Sequence, residues 1–172
     1  MKRNIIALSL FALISTGVQA ADGTINFTGK ITDQTCDIDA GTGAPIAVTM
    51  GNIGADQFKA KGDTALPTEF SISLKSCPGV PSVSVKFDGT ANAGDNSIID
   101  LTSGANAATG IGLQIQEVDG TPIKLLSNSK AVPITSGAAD AKFRAVYIST
   151  ADAEDITAGD ANATASFDIV YN

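Results

Sequence analysis

Every second residue from Gly159 to Tyr171 is small or apolar, in the series Gly159, Ala161, Ala163, Ala165, Phe167, Ile169, Tyr171. The residues between are Asp160, Asn162, Thr164, Ser166, Asp168 and Val170, polar in all but the last. Strict period-2 alternation predicts one strand with a buried and a wet face, running from Gly159 to Tyr171 beside the final Asn172. A strand in that place has an open edge, and an open edge needs a partner. A second alternation sits near the other end, where Ile25, Phe27, Gly29 and Ile31 are separated by Asn26, Thr28 and Lys30. The expectation is that a segment of this second kind completes the terminal strand of a neighbouring molecule.

Between these stretches the pattern predicts further short strands. Cys36 and Ile38 fall on even positions, out of phase with Ile31, so residues 33–35 break the strand into segments with different partners. Ile46, Val48 and Met50 follow, opened by Pro45, and a polar loop is expected from Gly51 to Pro67. Phe70, Ile72 and Leu74 lead to Cys77, and Val83, Val85 and Phe87 form the next strand after the turn signal Pro78-Gly79. Residues 88–96 read as loop and Ile98, Ile99 and Leu101 as a short strand. Asp119-Gly120 is a hairpin turn between Ile111, Leu113, Ile115 and Ile123, Leu125. Pro133 confines Val132 and Ile134 to a sheet edge. Residues 143–148 are apolar on both phases and predict a strand buried on both faces, followed by the acidic loop around Asp152, Glu154 and Asp155. Gly137 and the short span argue against a helix in the alanine-rich residues 136–141. The result is an all-β chain of short β-branched runs punctuated by Gly, Pro, Asn and Asp, the pattern of a sandwich.

The first twenty residues change the picture by placing it. Lys2 and Arg3, an apolar run from Ile5 to Ile14 and Val18-Gln19-Ala20 make an export leader with cleavage after Ala20. The apolar run is too short for a membrane span, which needs about 20 residues. Residues 21–172 then form a single domain. The formal net charge of −7 becomes more negative once Lys2 and Arg3 are removed. That balance leaves no basic patch for nucleic acid and no electrostatic hold on anionic lipid. In an exported chain the two cysteines, Cys36 and Cys77, are expected to be joined. Such a bridge closes a loop of about 41 residues and contributes roughly 4 kcal/mol in the chain-entropy picture. Without any His the pair makes no closed zinc site, and its spacing is not that of a redox Cys-x-x-Cys.

Four features together resemble the pilin subunits of chaperone–usher fimbriae of the type 1 kind. They are Ala-Asp-Gly-Thr-Ile-Asn-Phe-Thr-Gly-Lys-Ile at residues 21–31 ahead of Asp33-Gln34-Thr35-Cys36, the pair Cys36 and Cys77, Gly159 as the fourteenth residue from the end, and the penultimate Tyr171 after Phe167 and Ile169. The resemblance implies an incomplete immunoglobulin-like β-sandwich whose missing last strand is supplied by a donor strand from a neighbouring subunit. It implies a structural subunit of an adhesive fimbria on the bacterial cell surface. Its partners would be identical or related pilins, a periplasmic chaperone, an outer-membrane usher and a tip adhesin. Within residues 21–32, Ile25, Phe27 and Ile31 would plug the neighbour's groove, with Gly29 where that groove is shallow. Phe167, Ile169 and Tyr171 would line this chain's own groove and mark it for the chaperone, and Gly159 would open the terminal strand. The shaft role is the expectation, with a minor adaptor pilin or a carbohydrate-binding adhesin subunit as the alternative.

No catalytic, cofactor or metal residues are expected. Absence of His removes hydrolytic triads and His-based metal sites. The acids of residues 152–155 lack the alternation and glycine of a calcium loop. No cofactor is implied, and the chain reads as a structural protein and not as an enzyme.

Overall fold

The computed structural model describes residues 26, 28, 35–39, 45–77 and 79–172. The leader 1–20 and the donor positions Ile25, Phe27, Gly29 and Ile31 lie outside the described residues. The chain divides into the units Met1–Ile31 and Thr32–Asn172, and the fold is that of the second. Its strands are β1 (Asp37–Ile38), β2 (Thr64–Lys75), β3 (Ser82–Gly89), β4 (Ala91–Asn92), β5 (Asp95–Asp100), β6 (Ile111–Glu117), β7 (Val132–Pro133), β8 (Ala139–Ser149) and β9 (Ala165–Tyr171). They make a six-stranded sheet in the order β1-β2-β8-β6-β5-β4 and a three-stranded sheet in the order β7-β3-β9. Every ladder is antiparallel. Two such sheets over one apolar core form the expected immunoglobulin-like sandwich.

The core is built from alternate residues of both sheets. Ile72 and Leu74 of β2, Ala139, Ala141 and Phe143 of β8, Ile115 of β6 and Ile99 of β5 pack in one cluster with Val83, Val85 and Phe87 of β3. The rings of Phe87 and Phe143 meet edge to face at 5.0 Å, and Phe70 lies 5.7 Å from Phe143, an arrangement favoured by ring quadrupoles. On the outward side of β2 the partners are polar: Glu69 opposite Arg144, Ser71 opposite Lys142 and Ser73 opposite Asp140. Ser73 donates a hydroxyl hydrogen bond to Asp140 at 2.8 Å. β8 lies between β2 and β6, and Ala145 to Ser149 are buried on both faces, as the doubled apolar phase predicts.

Four local features depart from the pattern or refine it. β2 begins at Thr64, inside the stretch read as loop up to Pro67, because a bulge between Ala65 and Thr68 carries the strand past Pro67. Leu66 takes φ +53 there, the left-handed backbone such bulges use. The Asp119-Gly120 turn forms as expected, with Gly120 at φ +88 and the Glu117 N–H donating to the Thr121 carbonyl at 2.8 Å. Asp119 pairs with Lys130, whose ammonium, together with the Thr121 N–H, holds the Asp119 carboxyl well below the usual carboxylate range. Beyond that turn Ile123 and Leu125 are buried, yet they build no strand. The Ile123 N–H donates across the turn to the Ile115 carbonyl at 2.9 Å, as a hairpin requires, whereas the Leu125 N–H goes to the Asn96 carbonyl at 2.8 Å. Pro133 does sit on an edge strand, β7.

Candidate functional site: the open edge of the terminal strand

β9 forms because Ala165, Phe167, Ile169 and Tyr171 share one face. They register against Gly89, Phe87, Val85 and Val83 of β3. On the other face Asp168 lies opposite Lys86, with the carboxylate 3.6 Å from the ammonium, and Val170 lies opposite Ser84. β3 is flanked by β7 and β9, whereas β9 ends its sheet. Among the described residues nothing pairs with the other edge of β9.

Burial tells the same story. Val83, Val85 and Phe87 are 0%, 0% and 3% exposed, while Ala165, Phe167, Ile169 and Tyr171 are only half-buried against the same core. Equal chemistry on adjacent strands with unequal cover marks a strip where the sandwich is unsealed. A second run shows the same signature. In residues 45–50, Ile46, Val48 and Met50 are half-buried and alternate with exposed Pro45, Ala47 and Thr49. Among the described residues its backbone makes no hydrogen bond, and Ile46 packs against the same core. The sequence pattern marked this run as a strand; a strand without a ladder could be seen only in the fold.

The stretch before β9 is held elsewhere. Asp160 accepts from the Ala108 N–H at 3.0 Å and donates to the Asn106 carbonyl at 2.7 Å, and the Asn162 carbonyl accepts from Thr102 at 2.7 Å. The Tyr147 hydroxyl donates to the Ala161 carbonyl at 2.9 Å, and burial pushes that hydroxyl's pKa up. A Cβ on Gly159 would stand 2.3 Å from the Asn106 carbonyl oxygen and 2.6 Å from the Ala108 nitrogen. The predicted strand from Gly159 to Tyr171 is therefore two pieces. Residues 157–162 lie against residues 102–109, and the regular strand starts at Ala165. Gly159 does not open β9; it permits a close backbone approach six residues earlier.

The far end of β9 is tied as well. The Tyr171 hydroxyl accepts from the Cys36 N–H at 2.7 Å. Asn172 donates through its N–H to the Ser82 carbonyl at 3.0 Å and through its amide nitrogen to the Ser84 hydroxyl at 3.1 Å. Cys36 is joined to Cys77, 41 residues away, as expected. Phe167, Ile169 and Tyr171 are thus brought together on one half-open face, while Gly159 is not among them. The Cys36 contact had no signal in the sequence, because it joins residues 135 apart.

A family model described as fimbrial protein matches residues 25–172. The chain is 31% identical over 176 residues to long polar fimbria protein A of Salmonella typhimurium, covering 99% of this chain and 97% of that protein. Among solved structures it is similar to the antigen and type I fimbria protein of Burkholderia pseudomallei, at 41% identity and TM-score 0.61, over 87% of this chain and 97% of the other. The P pilus rod subunit shares the fold at TM-score 0.65 and 21% identity, over 80% of this chain and 99% of that one. With a half-open sandwich, a terminal strand that ends its sheet and these likenesses over nearly its whole length, the chain belongs to the fimbrial protein family, as an exported structural subunit of surface fimbriae and not an enzyme.

Proposed function

We propose that this chain is a shaft subunit that polymerises by donor-strand exchange. The observation that carries the reading is the open edge of β9 with its half-buried row Ala165, Phe167, Ile169 and Tyr171. An added strand satisfies the free backbone groups of such an edge and covers its apolar row at once, the mode of recognition the family uses. In this reading residues 1–20 are the export leader. Residues 21–32 are the donor, with Ile25, Phe27 and Ile31 entering the neighbour's groove and Gly29 facing its shallow point. Residues 45–50 form the second rim. A periplasmic chaperone occupies the groove first, and an outer-membrane usher is where the next subunit replaces it. Likeness to a long polar fimbria protein over the full length of both favours the shaft role over the adaptor.

Gly29→Leu tests this directly. A larger side chain at the shallow point overpacks the neighbour's core, at a cost of about 1–3 kcal/mol. The variant should be exported, oxidised and monomeric, and electron micrographs of cells carrying the whole assembly system should show no long fibres. Normal long fibres from Gly29→Leu would sink the groove assignment. Short tips in place of long fibres from the unaltered chain would point to the adaptor role.

A further inference from the structure

The last strand and the start of the fold meet at one hydrogen bond. Tyr171 is the last residue of β9, and its ring belongs to the half-buried row with Phe167 and Ile169. Its hydroxyl receives the Cys36 N–H at 2.7 Å. Cys36 stands where the N-terminal segment joins the fold, immediately before β1, whose Asp37 and Ile38 pair with Lys75 and Leu74. The root of that segment is thus held by the disulfide to Cys77, by a two-residue ladder and by the phenol of the groove wall.

We propose that Tyr171 is a positioning residue that couples occupancy of a subunit's own groove to anchorage of its outgoing N-terminal segment. The inference rests on the donor-strand reading above. A strand packed over the half-open row restricts the Tyr171 ring, and a restricted ring keeps its hydroxyl on the Cys36 amide. The coupling is reciprocal: an anchored root favours a filled groove to the same extent that a filled groove favours an anchored root. A subunit that has accepted a donor then presents its own donor from a fixed base, which gives assembly an order.

The test uses the exported chain, a synthetic peptide of residues 21–33 in excess, and amide hydrogen exchange read at Cys36 by NMR. Val146, in the buried part of β8, serves as the reference for global stabilisation. Peptide binding is followed separately by fluorescence anisotropy. In the unaltered chain the peptide should slow exchange at Cys36 by roughly fivefold, the factor one hydrogen bond of ordinary net strength confers, beyond any slowing explained at Val146. Tyr171→Phe keeps the ring and removes the acceptor. It should still bind the peptide, more weakly by about the same factor that is lost at Cys36, as reciprocity requires, while exchange at Cys36 stays fast and indifferent to it. Peptide that binds without slowing Cys36, or slowing that survives in Tyr171→Phe, overturns the coupling. Failure of the peptide to bind the unaltered chain at all overturns the donor-strand reading and the coupling with it. If Tyr171→Phe does not fold, the comparison of the unaltered chain with and without peptide decides alone.

Discussion

β3 and β9 are neighbours in one sheet, in register over seven pairs, and both turn apolar side chains to the same core. β3 is met on one side by β9 and on the other by the short β7 and residues 126–129, and its inward residues are sealed; β9 has a strand on one side and its inward residues are half open. The difference owes little to composition, since Phe87 faces Phe167 and Val85 faces Ile169. It arises from topology. A strand in the middle of a sheet is finished by its own chain, and a strand at the rim is finished by whatever arrives. The lesson is that an apolar row on a terminal strand can belong to the core and to an interface together.

The comparison can be broken most directly at its centre. Phe87→Ala removes a ring packed against Phe143 and should cost the subunit about 3–5 kcal/mol, seen as loss of soluble exported protein and a collapsed urea midpoint. Phe167→Ala, one strand over, should cost the lone subunit clearly less, about 1–2 kcal/mol for a side chain already half in water. Its larger penalty should appear only when a donor peptide or neighbouring subunit covers β9. Equal urea midpoints for the two variants in the lone subunit would show that β9 is sealed in solution and end the comparison. Gly159→Ala sharpens the boundary between the tethered stretch and the free strand. The new methyl meets the backbone of Asn106 and Ala108, so a loss of about 1–3 kcal/mol is expected. Wild-type stability in that variant would mean that residues 157–162 are not fixed against residues 102–109. The smallest effect belongs to Lys86→Ala, which removes the exposed ion pair to Asp168 between β3 and β9. A change of about 0–1 kcal/mol, shrinking further with added salt, is the expected result.

Much of this was legible in the sequence where one physical cause acts locally. The alternation of Val83, Val85 and Phe87, the double apolar phase of residues 143–148 and the glycine of the Asp119-Gly120 turn each specified their element. The alternation of Phe167, Ile169 and Tyr171 along β9 was equally plain. What stayed hidden depends on distant contacts. Pro67 reads as a strand breaker, and only the pairing of residues 64–75 with β8 carries the chain through its bulge. Gly159 continues the alternation by coincidence, since its smallness serves the Asn106 carbonyl and not the face of a strand. Ile123 keeps its hairpin bond to Ile115, but Leu125, which obeys the same strand period, gives its N–H to the carbonyl of Asn96 in another segment. Residues 45–50 keep the period with no ladder among the described residues, and nothing in a single chain's pattern distinguishes a strand with a partner from one that waits for it.

The disulfide has a mechanical meaning beyond its contribution to stability. A pull transmitted along the N-terminal segment enters the described fold at Cys36. Were β1 the sole attachment, the load would fall on a ladder of two residues and could peel it open one bond at a time. The Cys36–Cys77 bond instead hands the load covalently to the chain just past the end of β2, a strand of twelve residues held along β8. Tension is thereby routed around a ladder of two residues into the long ladder of β2 with β8, and the oxidised pair acts as a strain relief beside the start of β1.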